Sequence, residues 1–131
     1  MEPSIFTKII AGEIPAHKVF EDAQTFAFLD IYPARPGHTL VVPKRQVDRL
    51  EDLAADEYQA LMQTVQRVMQ RQVEVFGKEV RACLKVEGFD VPHAHIHIIP
   101  CRNAADFWTK QRMDIEPDHE QLAAMAERLR F

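Results

Sequence analysis

Two cysteines, Cys83 and Cys101, are all that 131 residues hold. Too few to staple a domain of this size, they exclude a disulfide-framed secreted fold and read as reduced thiols of a cytoplasmic protein. Basic residues gather into no patch or stripe, and the formal net charge is −4. Nucleic acid is therefore not an expected partner. A small anion is still admissible, because the local field inside a pocket outweighs net charge. No apolar run approaches the roughly 20 residues of a membrane-spanning helix, so no membrane partner is expected. The opening Met1-Glu2-Pro3-Ser4 carries an acid and lacks the apolar core of a secretory signal. Repeats, low-complexity segments and linkers are absent, and a single domain over 1–131 is expected, long enough for one hydrophobic core.

Histidine is what the chain has in one place. Three of its six histidines alternate in Val91-Pro92-His93-Ala94-His95-Ile96-His97-Ile98-Ile99-Pro100. A strand turns successive side chains to opposite faces. This segment would then show imidazoles on one face and Ala94, Ile96 and Ile98 to a core, with a proline to start and stop it. Folding alone has no use for three such side chains, each with two polar nitrogens to satisfy. Histidine titrates near neutrality and serves as base, acid, nucleophile or metal ligand, so the run is read as the functional centre.

The surrounding pattern is α+β. Ser4 caps a short helix over 5–10, which Gly12 ends. Strands over 17–20 and 25–29 flank the turn 21–24 and form a hairpin. The loop 32–37 leads to a third strand, 38–42, closed by Pro43. A long helix from 55 to 76 carries Tyr58, Leu61, Met62, Val65, Val68, Met69, Val73 and Phe76 at helical spacing, and Gly77 caps it. A fourth strand, 80–86, and the turn 87–90 precede the histidine run. Segment 103–116 shows no period, and Pro117 opens a last amphipathic helix through Leu122, Met125 and Leu129. An antiparallel sheet of about five strands with the long helix packed on it is expected.

The histidines admit metal binding or covalent catalysis. His93 and His97 would lie roughly 13 Å apart along a strand, so one zinc cannot take all three. Two of them with a distant ligand, for which His38 is a candidate, would be feasible, and a metal enzyme or metal-binding module stays open on spacing alone.

The run His93-Ala94-His95-Ile96-His97-Ile98-Ile99 resembles the signature of the histidine-triad (HIT) family. The segments Ile5 to Pro15, Phe26 to Ile31 and Pro36 to Lys44 resemble the family's other blocks, in the same order. The resemblance implies a homodimer of α+β subunits that binds a purine nucleotide and attacks its α-phosphate without a metal or other cofactor. By it His95 is the nucleophile and forms a nucleotidyl-histidine, while His93, His97 and His38 donate to phosphoryl oxygens. It implies a nucleoside pocket of Phe6, Phe28, Ile31 and Leu40, with Asp30 accepting from the ribose hydroxyls. The first four also read as ordinary core, and Asp30 as a turn residue.

The chain departs from the pattern in two places. Ser4 and Thr7 stand where some members carry zinc-binding cysteines, and Gln46 where a zinc histidine would be, so no structural zinc is expected. Before the triad the loop is short, Val86 replaces an asparagine, and Gly88-Phe89-Asp90-Val91-Pro92-His93 resembles the entry of a bacterial branch. Asp90 falls where other members place a neutral donor. It reads either as a carboxylate that holds an imidazolium beside the phosphate or as a solvated turn acid. The leaving group stays open, as does a purely nucleotide-binding regulatory role.

Overall fold

Asp22 makes the first turn. Its Oδ1 accepts from the backbone N–H of Gln24 and Thr25 and from Thr25 Oγ1, at 2.8–2.9 Å. The turn joins strands β1 (Lys18–Glu21) and β2 (Thr25–Leu29) in the computed structural model, which describes residues Met1–Phe131. Strands β3 (Thr39–Pro43), β4 (Arg81–Lys85) and β5 (Ile96–Cys101) complete one antiparallel sheet in the order β1-β2-β3-β5-β4.

Alternation in β2 and β3 divides the interior in two. Ala27, Leu29 and Val41, with Ile96 and Ile98 of β5, face the long helix α2 (Ala55–Phe76) and the last helix α4 (His119–Leu129). Helix α2 buries Leu61, Val65 and Val68 there, and α4 buries Leu122, Ala126 and Leu129. Phe26, Phe28, Leu40 and Val42 form a second cluster with Phe6 of helix α1 (Ile5–Ile10). His97 pairs in register with Leu40 on one side and Lys85 on the other. The helices and the site thus share the sheet's central strands. No helix is long and apolar enough to cross a membrane.

The long helix spans its predicted residues, and β1, β3 and β4 differ from expectation by one residue at each end. The histidine strand differs more. It begins at Ile96, so His93 lies in a bend and His95 in irregular chain ahead of it, and it runs through Pro100 to Cys101. Pro43 explains the late start: it has no N–H to extend the ladder, and its carbonyl is taken by His93 Nε2 at 2.8 Å. Strand β3 begins at Thr39, opposite Ile98, so Pro100 lies where only β4 flanks it and a missing N–H is tolerated. Within 103–116 a single turn of helix, α3 (Ala104–Phe107), is capped by Asn103 and is too short to leave a period. Helix α4 opens at His119, two residues after Pro117, with Asp118 as its cap, whose side chain accepts from the N–H of Gln121.

Gly37 sets the loop before β3. Its φ is +92°, and a Cβ there would fall 2.7 Å from the Phe76 ring. Its carbonyl accepts from Thr39 Oγ1 at 2.8 Å and from Gln72 Nε2 at 3.1 Å. Gly37→Ala is expected to cost about 2–4 kcal/mol in urea unfolding, combining left-handed backbone strain with overpacking. Gly88, with φ +83° and open space at its Cβ position, carries only the backbone share, about 1 kcal/mol. Equal losses at the two positions would remove the Phe76 contact from the account.

Candidate active site

His95 presents its reactive atom by exclusion. Its Nδ1 lies 2.8 Å from the carbonyl of His93, which can only accept, so the ring carries its proton on Nδ1. Nε2 then holds a lone pair and has no protein partner. The ring is 5% exposed and is wedged edge-on between Phe6 (5.0 Å) and His97 (5.1 Å).

The same logic runs through His38 and His97. His38 Nδ1 accepts from the backbone N–H of Ala34 at 3.0 Å, so its proton sits on Nε2. Nε2 donates to His97 Nδ1 at 2.9 Å, which leaves His97 with an Nε2–H donor. Burial, reinforced by His97, pushes His38 down to about 3. Burial, then His95, pushes His97 down to about 4. Both rings are therefore neutral at physiological pH. Gln72 of α2 holds the backbone on either side, its Nε2 donating to the carbonyls of Gly37 and Ile98 at 3.1 Å each.

His93 is fully buried with both nitrogens spent on protein. Nε2–H donates to the Pro43 carbonyl, and Nδ1 accepts from Ser4 Oγ at 2.7 Å. Ser4 Oγ accepts from Thr7 N–H at 3.0 Å. Gln46 Oε1 accepts from Ser4 N–H and Thr7 Oγ1 at 2.8 Å each. These hydroxyl and amide oxygens are poor zinc ligands beside cysteine, histidine or carboxylate. The expectation that His93 and His38 donate to phosphoryl oxygens is corrected accordingly: neither has a free N–H, because burial forces both nitrogens into protein hydrogen bonds. They hold His95 and His97 in place instead.

A cavity of about 540 Å³ opens in front of His95 and His97. Phe6, Phe28, Ile31 and Leu40 line it, and all but Ile31 also belong to the buried aromatic cluster, so core and lining are one surface here. Asp30 stands in its wall. Oδ1 accepts from Tyr32 N–H and Oδ2 from Gln111 Nε2, both at 2.8 Å. Burial raises its carboxyl above the ordinary range. Asp90 is exposed on the rim and makes no hydrogen bond. Two carboxylates approach the imidazoles: Asp30 Oδ2 lies 3.7 Å from His38 Nε2 and 4.0 Å from His97 Nδ1, and one oxygen of Glu87 and one ring nitrogen each of His95 and His97 lie within 4.8 Å of one another. Sequence reasoning missed Glu87, Lys85 and Gln111, all of which line this cavity. Gln111 belongs to a segment with no period, so nothing local pointed to it.

Two sets of ligand atoms converge enough to consider a divalent ion: Asp30, His38 and His97, and Glu87, His95 and His97. The first would require breaking the His38–His97 bond.

A family model described as the HIT domain matches residues 11–104. A HIT-like protein of Methanocaldococcus jannaschii is 44% identical over 103 residues, 73% of this chain and 77% of that protein. In Schizosaccharomyces pombe an adenosine 5'-monophosphoramidase is 36% identical over 103 residues, 76% of this chain and 74% of that protein. A bis(5'-nucleosyl)-tetraphosphatase of the same yeast is 42% identical over 85 residues, 62% of this chain and 46% of that protein. The crystal structure of a Hit-like protein from Bartonella henselae superposes with a TM-score of 0.76 at 32% identity, covering 97% of this chain and 94% of that one.

Acid should destabilise the fold through His38 and His97. Unfolded histidines titrate at 6.5, against about 3 and about 4 in the folded state. Between those values the unfolded chain binds protons that the folded chain refuses. Their contribution is thus intact above pH 6.5 and is lost as pH falls toward 4, by up to about 1.4 kcal/mol per pH unit for each ring. Urea unfolding at pH 7, 6 and 5 measures the slope. His38→Gln should flatten it by one proton, and an unchanged slope would place the uptake elsewhere.

Proposed function

The chain belongs to the HIT family, and from that premise we propose that it is a single-domain nucleotide hydrolase or transferase working through a nucleotidyl-histidine on His95. The observation that carries this reading is the unpartnered Nε2 of His95 at the end of a cavity with an aromatic lining. The lone pair of Nε2 attacks the α-phosphorus of a purine nucleotide conjugate and forms a P–N bond. The bond from phosphorus to the leaving group breaks, and that group takes up a proton from solvent. Water then attacks the phosphorus and gives a proton back to solvent, the P–N bond breaks, AMP or GMP departs, and His95 recovers its lone pair.

The neighbours have distinct parts in this scheme. The Nε2–H of His97 donates to a phosphoryl oxygen as charge develops there. His38 fixes the tautomer of His97, and the carbonyl of His93 fixes that of His95. Phe6, Phe28, Ile31 and Leu40 enclose the base. Asp30 accepts from the ribose hydroxyls through lone pairs that Tyr32 and Gln111 leave free. The relative named a monophosphoramidase and the one named a tetraphosphatase support a hydrolase that cleaves at a nucleotide phosphate.

We also propose a homodimer in a reducing compartment. Strand β4 lies at one end of the sheet and pairs only with β5, while both cysteines are free thiols. A two-fold copy would satisfy the open edge of β4. Light scattering at micromolar concentration should give twice the chain mass, and a monomer mass would remove this part of the reading.

Mixing the protein with an adenosine phosphoramidate and quenching in base should add one AMP to the peptide that carries His95. His95→Ala should abolish turnover while nucleotide affinity stays within about tenfold, since only the covalent step is lost. His97→Ala should cost about 10- to 1,000-fold, as a lost donor does. EDTA should leave the rate unchanged. If the His95→Ala protein kept more than a few per cent of the rate, the nucleophile would lie elsewhere. Loss of activity on chelation, restored by zinc, would favour the metal reading through Glu87, His95 and His97.

A further inference from the structure

Four of the six histidines are taken up by the site around His95. The other two, His17 and His119, are 102 residues apart in the chain, and the fold brings them face to face. His17 Nε2 and His119 Nδ1 stand 3.0 Å apart, with the rings stacked at 5.3 Å between centroids and 29° between planes. Neither ring belongs to the hydrophobic core: His119 is exposed and His17 half-buried.

Both rings hang from fixed backbone. His17 directly precedes β1, and its carbonyl accepts from Leu29 N–H at 3.0 Å. His119 is the first residue of α4, which Asp118 caps and which buries Leu122, Ala126 and Leu129. The fold therefore sets the spacing of the two imidazoles. A hydrogen bond between two neutral rings at the surface adds little, since each nitrogen can bond to water instead. A metal ion gains more from the arrangement. Two nitrogens, each about 2.0–2.1 Å from one ion, stand about 2.9 Å apart at a right angle and about 3.3 Å apart at the tetrahedral angle. The separation of 3.0 Å fits the right angle. That geometry suits Cu2+ and Ni2+ better than Zn2+. No third histidine, cysteine or carboxylate atom joins the pair within 4.8 Å. The ion's other positions are left to water or to a small chelator that carries it.

We propose that His17 and His119 form a two-histidine surface site for a divalent copper or nickel ion, which clamps the start of α4 to the start of β1. One of the two facing nitrogens carries the proton of the ring-to-ring bond. On metal binding that proton moves through solvent to the outer nitrogen of the same ring, and both facing lone pairs go to the ion. Strand β1 closes the end of the sheet opposite to β4, so the site stands clear of the open β4 edge. Occupancy acts on stability and leaves the chemistry at His95 alone.

Cu2+–iminodiacetate is the probe. The chelator leaves two adjacent positions of the copper open, and its bulk keeps it from His95, which is 5% exposed. Calorimetric titration of the full chain should give one copper per chain, and electron-spin-echo modulation should count two imidazoles on it. His17→Ala and His119→Ala should each weaken binding about 100-fold or more, because a two-point attachment becomes a one-point attachment. Any copper still bound should then show one imidazole. His95→Ala should bind like the unaltered protein. Saturating probe should raise the urea midpoint of the unaltered protein and leave those of the His17 and His119 variants where they are. Neither side chain is buried, so both variants should keep the circular dichroism of the unaltered chain. A single imidazole on the copper of the unaltered protein would overturn the site. So would an affinity that survives His17→Ala, or one that is lost in His95→Ala.

Discussion

The carbonyl of His93 accepts the Nδ1–H of His95 at 2.8 Å, and much of the surrounding structure serves to keep that carbonyl where it is. A peptide carbonyl cannot donate, so the bond dictates which nitrogen of His95 is free. For it to hold, residue 93 must not move. Its own ring is therefore pinned at both ends, by the Pro43 carbonyl and by Ser4 Oγ, and Ser4 is in turn tied to Thr7 and Gln46. An α-helix start, a strand end and the loop after it converge on one main-chain oxygen.

A parallel chain orders the other half of the site. The N–H of Ala34 fixes His38, His38 fixes His97, and Gln72 reaches out of the long helix to hold the main chain beside each of them. Low dielectric keeps the rings neutral, and neutrality makes each hydrogen bond directional. Charged imidazoles in the same positions would repel and would leave acceptors facing one another. Burial costs desolvation, but it converts four interchangeable side chains into one lone pair, one outward N–H and two supports.

Asp30 shows the opposite handling of a polar group in the same wall. It meets two N–H donors, from Tyr32 and Gln111, yet burial still raises its carboxyl above the ordinary range. Glu87, with an oxygen within 4.8 Å of a ring nitrogen each of His95 and His97, is exposed.

The long helix at 55–76 and the strands flanking it were legible because their apolar residues repeat with the period of their own backbone. His95, His97, His38, Asp30 and the lining residues Phe6, Phe28, Ile31 and Leu40 were legible as a set, because alternating imidazoles have no bland explanation and the neighbouring blocks share a known order. The division of labour among the histidines was not. Whether a ring nitrogen faces a carbonyl, a hydroxyl or open space depends on chain brought from far away: Ser4 lies 89 residues from His93, and His38 lies 59 from His97. The late start of β5 likewise needed Pro43 to be its neighbour. Asp90 and Glu87 sit three residues apart in one short turn, and sequence favoured the former while the turn's geometry brought the latter to the imidazoles. Local periodicity determined the elements and set the three histidines in one run. Only tertiary contacts decided their protonation, because a tautomer is set by whichever atom the fold places opposite each nitrogen.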